Sequence, residues 1–222
     1  LQKAEAVQQA DIDEAARRCY SYFETFSAQH MNDTAAYYLE LRASLDTTNS
    51  LWMSDVADFN YVYVADYEKA LTYYNTALRL ATSEFGENDH HVASLYTNIG
   101  LVMETLGRFD EEEEYAFKAL NIWQTYYPEN LTQNALAYNN LGSLYFQTAD
   151  LEKALQYYSQ AMELYDQATD AEPKDFVTMY NNLAVIFSYL EDYDQALEYM
   201  QRALTLYSEH YGTENETIAA LY

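Results

Sequence analysis

Little in this chain is equipped to make or break covalent bonds. There is no glycine-rich phosphate loop, no paired-histidine helix motif and no nucleophile elbow, and the calcium-loop pattern is absent despite Asp11 and Asp13. The histidines are His30, His90, His91 and His210; the adjacent pair His90-His91 falls in a turn and reads as surface or capping residues rather than metal ligands. No catalytic residue, metal site or cofactor is expected. What does recur is the amide group. Tyr96-Thr97-Asn98-Ile99-Gly100, Tyr138-Asn139-Asn140-Leu141-Gly142 and Tyr180-Asn181-Asn182-Leu183-Ala184 are spaced 42 residues apart, with Tyr222 one period further on. An amide side chain both donates and accepts hydrogen bonds, so its chemistry is recognition rather than catalysis.

Other columns keep the same period. Tyr67, Phe109, Leu151 and Tyr193 are 42 apart, as are Tyr73, Tyr115, Tyr157 and Tyr199, and Ala77, Ala119, Ala161 and Ala203. A further column, Gly86, Pro128, Asp170 and Gly212, consists of breaker and turn residues and marks where one unit hands over to the next. A period of this size means that each unit is a supersecondary element unable to bury its apolar face alone. With half of its 222 residues apolar and only five Gly and two Pro, the chain has material for a large core and too few breakers for an all-β fold.

Within a unit the spacing is helical. Tyr138, Leu141 and Tyr145 follow a three-then-four rhythm, and Ala154, Tyr157, Tyr158 and Ala161 resume it after a break at Thr148-Ala149-Asp150. The unit is therefore a helical hairpin. Gly100 and Gly142 share a column in its first helix, where Gly costs about 1 kcal/mol against Ala, which implies a neighbour too close for a larger side chain. Ala70, Ala154 and Ala196 face it from the second helix, while Glu112 takes that column in the acidic run Asp110-Glu111-Glu112-Glu113-Glu114 and predicts a looser hairpin.

Aromatic, Leu, Gly or Ala, aromatic, then Ala and Ala across two helices resembles the tetratricopeptide repeat. The 42-residue spacing, with Phe85-Gly86-Glu87-Asn88-Asp89-His90-His91-Val92-Ala93 ahead of Tyr96, is similar to the long variant of kinesin light chains. The resemblance implies an all-α fold, a right-handed superhelical solenoid of antiparallel helix hairpins. Its units are expected at 51–92, 93–134, 135–176 and 177–218, with the start of a truncated further helix at 219–222. Upstream a 34-residue register relates Ala36 to Ala70, Leu39 to Tyr73 and Ala43 to Ala77, so 17–50 reads as a hairpin of ordinary length and 1–16 as an N-terminal helical segment.

In this family the first helices line a concave groove that holds an extended or helical peptide. The resemblance places Asn98, Asn140 and Asn182 in the column that bonds to the peptide main chain, with Thr97, Asn139 and Asn181 beside it. The other reading of that column is a ladder tying neighbouring repeats together, and both can hold. Trp52, Asp55, Phe59, Tyr63, Leu101, Glu104, Phe146, Gln147, Val185 and Tyr189 are the remaining expected groove positions. None is Lys or Arg, so the clamp that some relatives use for acidic tails cannot be assembled from them. The expected ligand is a protein or peptide that is apolar or aromatic and neutral to basic, with a basic residue placed near Asp55 or Glu104. The column Tyr73, Tyr115, Tyr157 and Tyr199 is assigned instead to the core.

The formal charge of -25, from 36 acids against 11 bases, argues against nucleic acid and anionic membrane as partners; most of the acids are a solvated skin. The sole cysteine, Cys19, excludes an internal disulfide and fits a reducing, cytoplasmic setting. The sequons at Asn32, Asn130 and Asn215 matter only in a secreted protein. No apolar run approaches the roughly 18 residues of a membrane span. The chain opens on Leu1 without a leader and so reads as part of something longer. An apolar final stacking face would be covered by more chain or by end-to-end self-association. The functional expectation is a non-catalytic interaction scaffold; the alternative is the sensory or regulatory arm of a larger enzyme or transcription regulator.

Overall fold

The computed structural model of the chain describes residues 2–211, with side chains from 8 to 210. Among these residues every regular element is helical: α1 Gln2–Ala28, α2 Asn32–Leu45, α3 Ser50–Phe59, a π turn Asn60–Val64, α4 Tyr67–Phe85, α5 His90–Thr105, α6 Phe109–Tyr126, α7 Leu131–Gln147, α8 Leu151–Tyr165, α9 Pro173–Tyr189 and α10 Tyr193–Tyr211. The expected helix start at 219–222 lies outside the described residues. They pack as two compact units, divided after Arg108. In the first unit α1 packs on α2, α2 on α3, α3 on α4 and α4 on α5; in the second, α6 packs on α7, α7 on α8, α8 on α9 and α9 on α10, with α7 also touching α9.

The helix ends follow local chemistry. Asp66, Asp150 and Asp192 stand before the second helices α4, α8 and α10, and each side chain accepts the backbone N–H three residues on, from Lys69, Lys153 and Gln195. The first helices α3, α5 and α7 are capped by Asn49, Asp89 and Asn130, and α9 starts with a capping box between Glu172 and Asp175, with Pro173 in its first turn. Those caps lie upstream of the tyrosine motif, so the leading helices begin at His90, Leu131 and Pro173, ahead of the boundaries expected at 93, 135 and 177. The boundary expected between 16 and 17 falls inside a single helix, α1, because no breaker stands there.

The turn inside each hairpin carries its own 42-residue column. Ala65, Gly107, Ala149 and Glu191 all have positive φ, between 59° and 70°. One left-handed residue ends the first helix and reverses the chain, and only Gly107 does so without a Cβ penalty.

Small residues bring the two helices of a hairpin together. Ala70, Ala77, Ala154, Ala161 and Ala203 are fully buried and Ala196 nearly so; Glu112, in the same column as Ala70, is buried as well. Gly142 shows how close the approach is. A Cβ added there would lie 2.5 Å from Cδ1 of Tyr158, whose ring covers the glycine from α8. In the next hairpin the equivalent positions, 42 residues on, are held by Ala184 and Met200, a methyl group and a flexible chain in place of a glycine and a ring. The tyrosine column assigned to the core is corrected here. Tyr73, Tyr115, Tyr157 and Tyr199 are half-buried, whereas Tyr74 and Tyr158, one position further on, are deeply buried. One helical residue is a rotation of about 100°, enough to exchange the seam for the edge of the hairpin. From that edge Tyr157 stacks on Tyr145 at 5.3 Å and Tyr199 on Phe187 at 5.6 Å.

The π turn has a traceable cause. Asn60 occupies the column of Val102, Leu144 and Ile186, all buried and apolar, and is itself 1% exposed. Its Nδ2 donates to the Val56 carbonyl at 2.8 Å, competing for an acceptor of the α-helical ladder, and its Oδ1 has no hydrogen-bond partner. An inserted side chain of this kind locally widens a helix.

The glycine contact generates a stability prediction. Gly142→Ala drives a methyl group into a rigid ring and is expected to cost about 1–3 kcal/mol in urea unfolding. Adding Tyr158→Met, which reproduces the Ala184–Met200 pairing, recovers most of that loss; the double variant unfolding no later than Gly142→Ala alone would show that the contact is not the constraint.

Candidate interaction surfaces

The leading helices of the second unit, α7 and α9, meet along a polar and aromatic seam. Asn182 Nδ2 donates to Asn139 Oδ1 at 2.8 Å. Seven residues along each helix, Phe146 and Tyr189 make an edge-to-face pair with centroids 5.3 Å apart. Two turns of helix bring a side chain back to the same face, so the two pairs line one seam. Tyr189 is 65% and Val185 42% exposed, leaving aromatic and aliphatic surface open beside the amide pair. Asn140, next to Asn139, is half-buried and makes no hydrogen bond to another described residue. Gln147 is exposed and Asn181 half-buried on the same two helices.

In the first unit the corresponding amide has a different occupation. Asn98 Nδ2 donates to Asp58 Oδ1 at 3.3 Å, and the Tyr74 hydroxyl donates to the same oxygen. Asp58 thus ties α3 to α4 and α5. Burial, opposed by the Tyr74 hydrogen bond and reinforced by the Asp55 charge, raises its carboxyl above the ordinary range, and the Tyr74 phenol is raised in turn by burial and by Asp58. Thr97 bonds back to its own helix, at the Ala93 carbonyl, 3.2 Å away. Leu101 and Glu104 are half-buried on α5.

The α3 positions expected in a groove divide. Trp52 is half-buried and Tyr63, in the π turn, is 59% exposed. Phe59 is a correction: at 4% exposure it belongs to the core, packed edge-on against Phe23 of α1 at 5.2 Å and stacked by Tyr63 at 4.9 Å, so it is unavailable to a ligand. A basic group beside Asp55, expected from a ligand, comes from the chain itself. Arg42 at the end of α2 places Nη1 2.7 Å from Asp55 Oδ2. Its guanidinium carbon lies 4.7 Å from the ring centroids of both Tyr20 and Trp52, sandwiched between two π faces. A cavity of about 350 Å³ opens here, lined by Asp13, Arg17, Tyr20, Glu24, Arg42 and Trp52 among others. Arg42 escaped sequence reasoning because it sits on a second helix, outside the leading-helix pattern.

Leading helices that expose amide and aromatic side chains, with second helices packed against α3, α7 and α9, define a helical-repeat interaction scaffold. The tetratricopeptide repeat profile matches residues 59–125, 113–167 and 175–222, more than half of the sequence, and the chain belongs to that family. No curated protein matches it in sequence. Among solved structures it is similar to BtubC (BKLC) of P. vanneervenii, at 19% identity and a TM-score of 0.76 over 95% of this chain and 92% of that one. It is also similar to a Podosopora anserina protein of nearly identical tetratricopeptide-like repeats of kinesin light chain type, at 9% identity and a TM-score of 0.68 over 89% and 97%. A third is MamA, residues 41 to the end, of Desulfovibrio magneticus RS-1, at 15% identity and a TM-score of 0.63 over 89% and 97%. At these identities the likeness carries the fold. No helix among the described residues is long and apolar enough to cross a membrane.

Asp58 generates a prediction of pH dependence. A carboxyl whose folded pKa is raised is favoured by folding in its protonated form, so its contribution is full below the unfolded pKa and is lost as pH rises through the folded value. Asp58→Asn keeps an acceptor for Tyr74 and Asn98 without the charge. It is expected to unfold later than the parent at neutral pH, with the difference shrinking toward pH about 4; thermal scans across that range read it, and a constant difference would refute the assignment.

Proposed function

We propose that the chain is a non-catalytic scaffold that binds a protein or peptide segment along the exposed faces of its leading helices. The observation that carries this reading is Asn140. It stands in the repeating amide column, yet unlike Asn98 and Asn182 it makes no hydrogen bond to another described residue, and it is carried on α7, the helix that also carries Asn139 and Phe146 of the α7–α9 seam. A half-buried amide with donors and acceptor unused by the described residues can pair with a main chain whatever its sequence, while the exposed Tyr189 and Val185 of α9 supply apolar contact. Thr97, Asn181, Trp52, Tyr63 and Glu104 extend the candidate contact set within their own units. The favoured segment is apolar or aromatic and neutral to basic, since the formal charge of -25 attracts cations and repels acids at long range.

A labelled-peptide array read by fluorescence anisotropy tests the reading. A binder found with the parent chain is expected to weaken about fivefold to thirtyfold with Asn140→Ala, the loss of one or two hydrogen bonds, and to associate more slowly in high salt. Binding unchanged by both Asn140→Ala and Tyr189→Ala would remove the α7–α9 face from consideration.

A further inference from the structure

We infer that Asp89, His90 and His91 form a binding site for a divalent first-row transition metal ion at the turn between α4 and α5. Each of the three offers one ligand atom, and these atoms all lie within 4.8 Å of one another. Imidazole with carboxylate is a donor set suited to Zn²⁺, Ni²⁺ or Cu²⁺. His91 is held in place twice. Its Nδ1 lies 2.7 Å from Asp89 Oδ1, and its ring is stacked on Phe85 at 4.7 Å from the end of α4. His90 lies against it, ring centroids 4.0 Å apart, and is exposed, so an ion reaches the pair from solvent.

Capping does not account for the histidines. Asp89 caps α5 by accepting the His91 backbone N–H at 2.9 Å, a task that needs no imidazole. The caps Asn49 and Asn130 and the Glu172 capping box start the other leading helices with Ser50-Leu51, Leu131-Thr132 and Pro173-Lys174 behind them. Two of the chain's four histidines are concentrated at the start of α5, the leading helix among the described residues that an aspartate caps. The partial positive charge of the helix end opposes a cation weakly, and the surplus of acids across the chain works the other way. Because the ligands are consecutive in sequence, the ion closes no long loop, so direct binding is a better readout than a rise in stability.

Isothermal titration of the full chain with Zn²⁺ at neutral pH is expected to show one ion bound. Asp89→Asn separates the two roles of the aspartate, since Asn caps a helix about as well as Asp but carries no charge. It is expected to leave the metal-free melting temperature unchanged and to weaken Zn²⁺ by about tenfold or more, while His90→Ala/His91→Ala removes the titration and His30→Asn keeps it. No heat with the parent chain, or Zn²⁺ binding that survives both the Asp89 and the double histidine variants, would overturn the site.

Discussion

Close contact between the two helices of a hairpin is the constraint on which the rest of this structure depends. Where Gly142 stands, the Tyr158 ring lies so close to the backbone that no Cβ fits, and Ala70 and Ala154 are fully buried in their own hairpins. Packing of this density leaves few ways to rotate one helix against the other. Rotation is what decides which side chains of a leading helix face the following one and which face solvent. The Phe146–Tyr189 and Asn139–Asn182 pairs, two turns apart on α7 and α9, exist because the hairpin contacts behind them hold both helices at one angle.

The amides show how one residue type in one column serves different ends. Asn98 is consumed by Asp58, Asn182 by Asn139, and Asn140 by neither. A column that both stacks repeats and offers unused bonding groups distributes stability and recognition along the same helices. Arg42 makes a comparable compromise in the first unit: paired with Asp55 and sandwiched by Tyr20 and Trp52, it converts acidic and aromatic surface into a walled cavity.

Much of the fold was legible because its signals are local. The 42-residue columns of Ala, Gly and aromatic residues, and the turn residues between them, report periodicity, which needs only chain order. The candidate surfaces were less legible. Phe59 and Val185 share a column and so read alike, yet one is core and the other open. The difference lies in Phe23, whose ring reaches Phe59 from α1, a helix outside the 42-residue register. Tyr73 and Tyr74 are adjacent and chemically identical, and only the rotation of α4 makes the second the buried one.

Chain order alone determined that this is a stack of α-hairpins, where each hairpin turns, and which columns are small, aromatic or amide, because helical periodicity and turn chemistry act over a few residues. Tertiary packing decided the rest: which amide is bonded and to what, that Arg42 answers Asp55, and that Phe59 is withdrawn from the surface. Those outcomes depend on helix rotation and on contacts between residues far apart in sequence, and a difference of one residue in register exchanges a buried face for an exposed one.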